Sequence, residues 1–468
     1  MVRARAAGRG EGIEMRKHAF GYLAITACLV AASNGWANMA DNSHRSQVAG
    51  IDLIIYQTNF RQVVVVVGAL PAGDAMAGSD NIAIPTLTGM MLDRGTKTLD
   101  KFAIAKQLDD VGAEISFGVG AQSLEIRAKC LKKDMPLVLR LMAAQLREPA
   151  MLASEFAKAK QQFIGNLQET MHSTEERARE AFDRAIFPPG HPNRPHSLEE
   201  FLIAAKSATL EQAKAFHAHY YGPAHLTLVL AGDVPVAEAQ AEVAKNFAGW
   251  TGGQDYLHAA KPATSPGPAE IVVPIEDKPS VSVILGQPTG LRYRDPDALP
   301  LRVGTAILGR GFTGRLMRIV RDKEGLTYDI DAQVSNDSIV DGAWDISASF
   351  APSLLDKGLA STRSVLAKWW QEGVTEDELA VRKQGILGTF LVGLATTRGL
   401  ASIILTTVQR GYGVDWLDAY PQMIQALTRD QVNKAIRTHL DPSTMVLVEA
   451  GSVAAGGKPA ADASPPAR

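Results

Sequence analysis

Ten histidines and two cysteines are the side chains in this 468-residue sequence best suited to bind a transition metal or attack a substrate. A helical zinc-peptidase site needs two histidines one turn apart with a glutamate beside them, as His-Glu-x-x-His or the inverted His-x-x-Glu-His. Neither pattern occurs anywhere in the chain. His217 and His219 are two apart in a helical pattern, so they point to different faces. His191 and His196 lie in the proline-rich run Pro188-Pro-Gly-His-Pro-Asn-Arg-Pro-His196, which has the character of a connection. The glycine-rich run Leu308-Gly-Arg-Gly-Phe-Thr-Gly314 lacks the Lys-Ser/Thr of a phosphate loop, and its third glycine is misplaced for a dinucleotide fingerprint. Its glycines suit a close approach of backbone to backbone.

The elements that must position these residues emerge when the chain is compared with itself. Residues 209–234 and 428–453 align without a gap: Thr209, Gln212, Pro223, Leu228, Gly232 and Val234 meet Thr428, Gln431, Pro442, Leu447, Gly451 and Val453. Each copy has a threonine helix cap, an amphipathic helix, a proline-marked turn and an apolar strand ending at glycine. The chain is therefore two similar lobes offset by about 219 residues. In lobe one, Ile51–Gln57 and Val63–Leu70 suggest paired strands, and Ile82–Leu92 has helical spacing. A further helix around Leu99–Val111, strand-like Glu114–Lys129, and helices over Met135–Leu146 and Ser154–Thr170 follow. Lobe two repeats the order, with strands within Ala269–Gln287, a helix over Leu299–Leu308, and strands at Asp329–Ser335 and Trp344–Phe350. The expected class is α+β, with antiparallel sheets packed by helices. The Gly/Pro-rich segment 251–268 is expected to link lobes at 45–250 and 269–453, and the Ala/Gly/Pro tail 454–468 has no apolar period and should be disordered.

With 48 basic and 50 acidic residues there is no cationic surplus for nucleic-acid phosphates, so no nucleic-acid partner is expected. Met15-Arg-Lys-His precedes an apolar stretch of about 14 residues, Ala19–Ala32, and the small-residue run Ala31-Ala-Ser-Asn-Gly-Trp-Ala37. This is the pattern of a secretory signal peptide over 1–37, too short for a membrane span of roughly 20 residues. It implies export, with the periplasm as destination and no transmembrane anchor after removal; a lipoprotein signal at Ile25-Thr-Ala-Cys28 is the alternative. Once the signal is removed, Cys130 is the one remaining thiol and no intramolecular disulfide can form.

Three segments resemble the pitrilysin/insulinase zinc peptidase family. Tyr220-Tyr-Gly-Pro223 followed by Leu226–Val234 is similar to the family's helix, turn and strand ending in Gly-Asp. Leu308 to Tyr328, with Arg318-Ile-Val-Arg-Asp-Lys-Glu-Gly-Leu-Thr-Tyr328 at its end, is similar to the second-lobe signature. Gly68–Gly73 and Thr86–Thr96 fall where the family places its zinc helix. The resemblance implies half of a clam-shell peptidase. Anchored on Arg94-Gly95-Thr96, the inverted zinc motif falls on Thr86, Gly89 and Met90, and the third ligand on Asn166. None of the four can serve: threonine is a poor neutral ligand, glycine has no proton acceptor and a thioether suits softer metals. This chain is therefore expected to bind no cofactor, with zinc residing in a homologous partner subunit.

The same resemblance implies that Arg321 and Tyr328, seven residues apart, act in catalysis in trans. The guanidinium would hold a peptide carbonyl, and the phenol would donate to the oxyanion formed at the partner's zinc. Gly309, Gly311 and Phe312 are the implied substrate-guiding residues. The expected function is a non-catalytic subunit of a heterodimeric metallopeptidase, inactive alone, acting on peptides or unfolded segments; the alternative is a purely structural or binding protein of the same fold.

Overall fold

The computed structural model describes residues 39–58, 62–77, 80–254 and 262–453. The expected signal peptide, Cys28 and the tail from Ala454 lie outside the described residues. Lobe one begins with β1 (Ser43–Val48), β2 (Ile51–Gln57) and β3 (Val63–Leu70), then α1 (Ile84–Gly89), α2 (Lys101–Asp109), β4 (Glu114–Val119) and β5 (Leu124–Leu131). It continues through α3 (Met135–Arg147), α4 (Ala153–Thr170), α5 (Thr174–Ile186), α6 (Leu198–Ser207) and α7 (Leu210–Tyr220) to β6 (Thr227–Gly232) and α8 (Val236–Phe247). Lobe two contains β7 (Ala269–Pro274), β8 (Val281–Pro288), α9 (Ala298–Gly309), a π-helical turn (Met317–Lys323), β9 (Thr327–Ser335) and β10 (Ala343–Phe350). It ends with α10 (Leu355–Glu372), α11 (Glu376–Leu394), α12 (Thr397–Gln409), α13 (Trp416–Ala426), α14 (Arg429–His439) and β11 (Val446–Gly451).

The architecture is α+β, two similar lobes each built on one sheet. The strand orders are β1-β2-β6-β3-β5-β4 and β7-β11-β8-β10-β9, which coincide once β1 is set aside. Each sheet is antiparallel except for one parallel pair, β2 with β6 and β7 with β11. The pairing of β2 with β3 expected from sequence does not occur. Both strands bond to β6, which is inserted between them, and β7 and β8 are likewise separated by β11. The inserted strands carry apolar residues on both faces, and every residue of β11 is buried, as a central strand requires.

The repeat is visible atom by atom. Thr209 Oγ1 accepts from Gln212 N (3.3 Å) while Thr209 N donates to Gln212 Oε1 (3.0 Å). Thr428 and Gln431 make the same reciprocal pair at 3.2 and 2.9 Å, so α7 and α14 start on identical capping boxes. Each following strand ends on a glycine at positive φ, Gly232 (+135°) and Gly451 (+144°). A Cβ at Gly232 would sit 2.0 Å from the Val63 carbonyl oxygen, so only glycine fits there.

The lobes exchange helices. By sequence α5 belongs to lobe one, yet its Ala178, Phe182 and Ile186 pack on Ile284 of β8 and on Val446, Val448 and Ala450 of β11. Helix α12 of lobe two lays Leu400, Ala401 and Ile404 on Ile54, Val65, Val67 and Val229 of the lobe-one sheet. This burial explains why α12 is so apolar; no single helix among the described residues is long and apolar enough to span a membrane. Polar clasps fix the arrangement. Arg179 of α5 donates through Nη1 and Nη2 to both oxygens of Asp345 (3.0 and 2.9 Å), a carboxylate with no solvent exposure. His191, stacked on Phe187, contacts Asp341 through Nε2 at 3.0 Å, so the proline-rich loop is an inter-lobe clasp as well as a connection.

Removing one partner of a buried ion pair strands the other charge. Arg179→Met is expected to cost about 3–5 kcal/mol in urea unfolding, and Arg179→Met combined with Asp345→Leu should recover most of it. Additive losses would show that the pair is not coupled. A second test concerns Glu449, 2% exposed on β11, whose Oε2 has no hydrogen-bond partner. Burial, with Glu270 and Asp356 adding to it, pushes its carboxyl from 4.5 up to about 7. The native state thus holds this proton more tightly than the unfolded chain, and stability falls as pH rises between those values. Glu449→Gln should raise the Tm at pH 8 and leave it unchanged at pH 4.

Candidate functional site

Where a zinc helix would lie, α1 is a short, largely buried helix opened by Pro85. Thr86 Oγ1 donates to Asp74 Oδ1 (2.8 Å), and burial pushes the Asp74 carboxyl up to about 6, against the effect of that hydrogen bond. A Cβ at Gly89 would come 2.3 Å from Val119 Cγ2 of β4, so Val119 occupies the space a glutamate side chain would need. Met90 packs at the margin of the lobe-one core. Asn166 is exposed on α4, and its carbonyl accepts from Thr170 Oγ1 (2.9 Å). Apart from the backbone bond of Met90 N to the Thr86 carbonyl (3.0 Å), no hydrogen bond among the described residues joins these four, and no group of three or more His, Cys, Asp or Glu placed to hold a metal occurs among them.

The residues that anchor this segment have structural work. Arg94 donates to Gln162 Oε1 (2.7 Å) and lies 3.4 Å from Glu155, tying the end of α1 to α4. Lys101 and Lys158 also contact Glu155 and hold its carboxyl down at about 2. Gly95 has φ +108°, and Thr96 Oγ1 accepts from Leu99 N (3.0 Å).

The second-lobe segment is organised differently. Helix α9 ends at Gly309, where a Cβ would stand 2.2 Å from the Ala332 nitrogen of β9. The glycine-rich run therefore rides directly on the strand. Gly311 (φ +69°) turns the chain, Gly314 N donates to the Gly311 carbonyl (3.0 Å), and Phe312 is left 72% exposed. Next comes the π-helical turn, in which Glu324 N reaches the Ile319 carbonyl five residues back (3.0 Å). Such turns recur at functional sites because they re-aim side chains.

This turn aims Arg321 outward. Its guanidinium carbon is 5.1 Å from the centroid of the Phe312 ring and 5.0 Å from that of Tyr328, and Tyr328 is 84% exposed at the start of β9. Among the described residues Arg321 has no carboxylate within ion-pair distance. The structure thus brings Phe312, Arg321 and Tyr328 together as an exposed cation–aromatic cluster, with Gly309 and Gly311 shaping the segment that carries it. It does not bring this cluster into contact with Thr86, Gly89, Met90 or Asn166.

Supporting residues went unnoticed in the sequence. Arg315 grips Glu378 with two hydrogen bonds (2.7 and 2.6 Å), and Arg382 donates to Thr313 Oγ1 (3.1 Å), so α11 braces the glycine-rich run from more than 60 residues away. Between the lobes, a polar cleft of about 590 Å³ is lined by Thr174, Arg179, Ser282, Asp329, Gln333 and Ser349. Asp329 and Gln333 of β9, the strand that carries Tyr328, form part of its wall.

Comparison with known proteins places these features. Residues 207–386 match the family profile described as "Peptidase M16 inactive domain". A "non-peptidase homolog", YmxG of Helicobacter pylori, is 22% identical over 80% of this chain and 85% of its own length. An "uncharacterized zinc protease" of Streptomyces coelicolor is 23% identical over 67% of this chain and 69% of its own. The crystal structure of a peptidase M16 inactive domain from Pseudomonas fluorescens superposes with a TM-score of 0.81 at 24% identity, covering 89% of this chain and 99% of that one. The periplasmic protease PqqL of Escherichia coli gives a TM-score of 0.73 at 15% identity, with 88% of this chain matching 46% of that longer protein.

The filled pocket at Gly89 is directly testable. Gly89→Glu is expected to destabilise by about 1–3 kcal/mol through overpacking. Adding Val119→Ala should return part of the loss in thermal melts; no relief from the second substitution would contradict the assigned clash.

Proposed function

We propose that this chain, whose fold matches that of a peptidase M16 inactive domain and whose residues 207–386 match that family's profile, is the non-catalytic subunit of a heterodimeric zinc peptidase. In this reading it lends Arg321 and Tyr328 to substrate held at a homologous partner's zinc. The observation that carries the proposal is the exposed cluster itself. Arg321 is held between two aromatic rings with its donors unclaimed by any carboxylate among the described residues, in a chain whose own zinc positions are taken by Thr86, Gly89, Met90 and Asn166.

Stacking fixes the plane of the guanidinium without consuming its N–H groups, so it stays pre-organised for a peptide carbonyl. The Tyr328 hydroxyl beside it can donate to an oxyanion. Gly309 and Gly311 let the run lie flat on β9, and Phe312 offers an apolar surface to an extended substrate. The partner would supply the metal and the general base. Export through the N-terminal segment would place the pair in the periplasm, acting on short peptides or unfolded segments.

The test is peptide cleavage by this protein, by a zinc-bearing relative and by their mixture. Only the mixture should be active, and Arg321→Ala or Tyr328→Phe should slow it roughly 100- to 1000-fold, the usual effect of losing one oxyanion donor. Equal activity of the relative alone would replace this proposal with a purely structural or binding role.

A further inference from the structure

A second concave site lies on lobe two, away from the Arg321 cluster, between the segment joining β8 to α9 and the segment joining α12 to α13. Its volume is about 300 Å³, at the lower end of the range for small-molecule pockets. Its wall is aromatic: Tyr412 stacks on Trp416 with centroids 4.8 Å apart, and Tyr293 meets both edge-on at 6.4 and 6.1 Å. Leu299, Met423 and Leu427 complete an apolar floor.

Charge around this wall is unbalanced. The guanidinium carbons of Arg410 and Arg302 lie 3.5 and 4.6 Å from the centroid of the Tyr293 ring, and that of Arg294 lies 5.8 Å from the centroid of Tyr412. Asp337 pairs with Arg302, and Asp295 pairs with Arg292. Among the described residues the Arg410 side chain makes one hydrogen bond, to Ser338 Oγ (3.3 Å), and neither it nor the exposed Arg294 has a carboxylate within ion-pair distance. Two donors nearby are also unspent: Trp416 Nε1 and Arg302 Nε are buried without a hydrogen-bond acceptor. A buried N–H without an acceptor is costly, and burying a cation uncompensated is more so. Trp416 and Arg302 line the pocket, so an acceptor oxygen of an entering ligand can relieve the cost of their unspent donors.

We propose that this pocket binds a small ligand with an apolar, preferably aromatic, body and a carboxylate, the body lying on the Tyr412–Trp416 wall and the carboxylate meeting Arg294 at the rim. The chemistry is shared by a free aromatic acid and by the C-terminal residue of a peptide. The site is independent of the peptidase-subunit proposal, and either can fail without the other.

The experiment uses the whole protein and isothermal titration, with Trp416 fluorescence as a second readout, and N-acetyl-phenylalanine and its neutral amide as probes. The acid should bind saturably and the amide far more weakly. Arg294→Ala should weaken the acid by roughly 10- to 100-fold, the effect of one charge-assisted hydrogen bond, with Arg294→Lys restoring part of it. Arg294 is exposed, so an unchanged Tm accompanies the loss. Trp416→Phe should abolish the fluorescence response. A pentapeptide ending in phenylalanine that binds as well as the acid would identify peptide C-termini as the source; one that fails while the acid binds would identify a free acid. Equal binding of acid and amide, no saturable binding of either, or indifference to Arg294→Ala would overturn the assignment.

Discussion

The reciprocal loan of one helix between lobes is the constraint on which the rest of the molecule depends. Each sheet has two apolar faces, and its own lobe's helices cover one of them. Ile54, Val65, Val67 and Val229 on one sheet and Ile284, Val446 and Val448 on the other are sealed by α12 and α5, each contributed by the opposite half. Separating the lobes would expose both patches and break the Arg179–Asp345 ion pair. The two halves therefore form one mechanical unit, and the cluster at Arg321 keeps a fixed geometry relative to the altered helix α1.

The two candidate sites of the repeat have diverged in opposite physical directions. At α1 Val119 fills the space that a side chain at Gly89 would need, and the Thr86 hydroxyl donates to Asp74. The polar groups there are satisfied internally. In lobe two, Phe312 and Tyr328 are open to solvent, and the π-helical turn sets Arg321 against both rings.

What could be recognised in the sequence was whatever depends on neighbours a few residues apart. The Thr209/Gln212 and Thr428/Gln431 capping boxes span a single turn and are spelled out locally. The spacing of Arg321 and Tyr328 is likewise local and led to a cluster that the structure brings together with Phe312. The insertion of β6 between β2 and β3 was not visible, because hydrophobic alternation reports burial and says nothing about which strand lies alongside. Nor could pattern alone reveal Arg179 with Asp345, Arg382 with Thr313, or Val119 against Gly89, since each joins residues that share no period. The pocket at Trp416 is of the same kind, assembled from two connecting segments far apart in the chain.

The position of β6 and β11 bears on the order in which the chain can take shape. In both lobes the strand made last is hydrogen-bonded on both edges near the middle of its sheet, and β11 ends at Gly451. While the chain emerges from its N-terminus, β8 can pair with β10, but β7 has no strand to join until β11 appears between it and β8. Closure of such long loops must precede the contacts that reward it. The lobe-two sheet therefore stays incomplete until β11 is available, which makes that strand the keystone of the finished lobe.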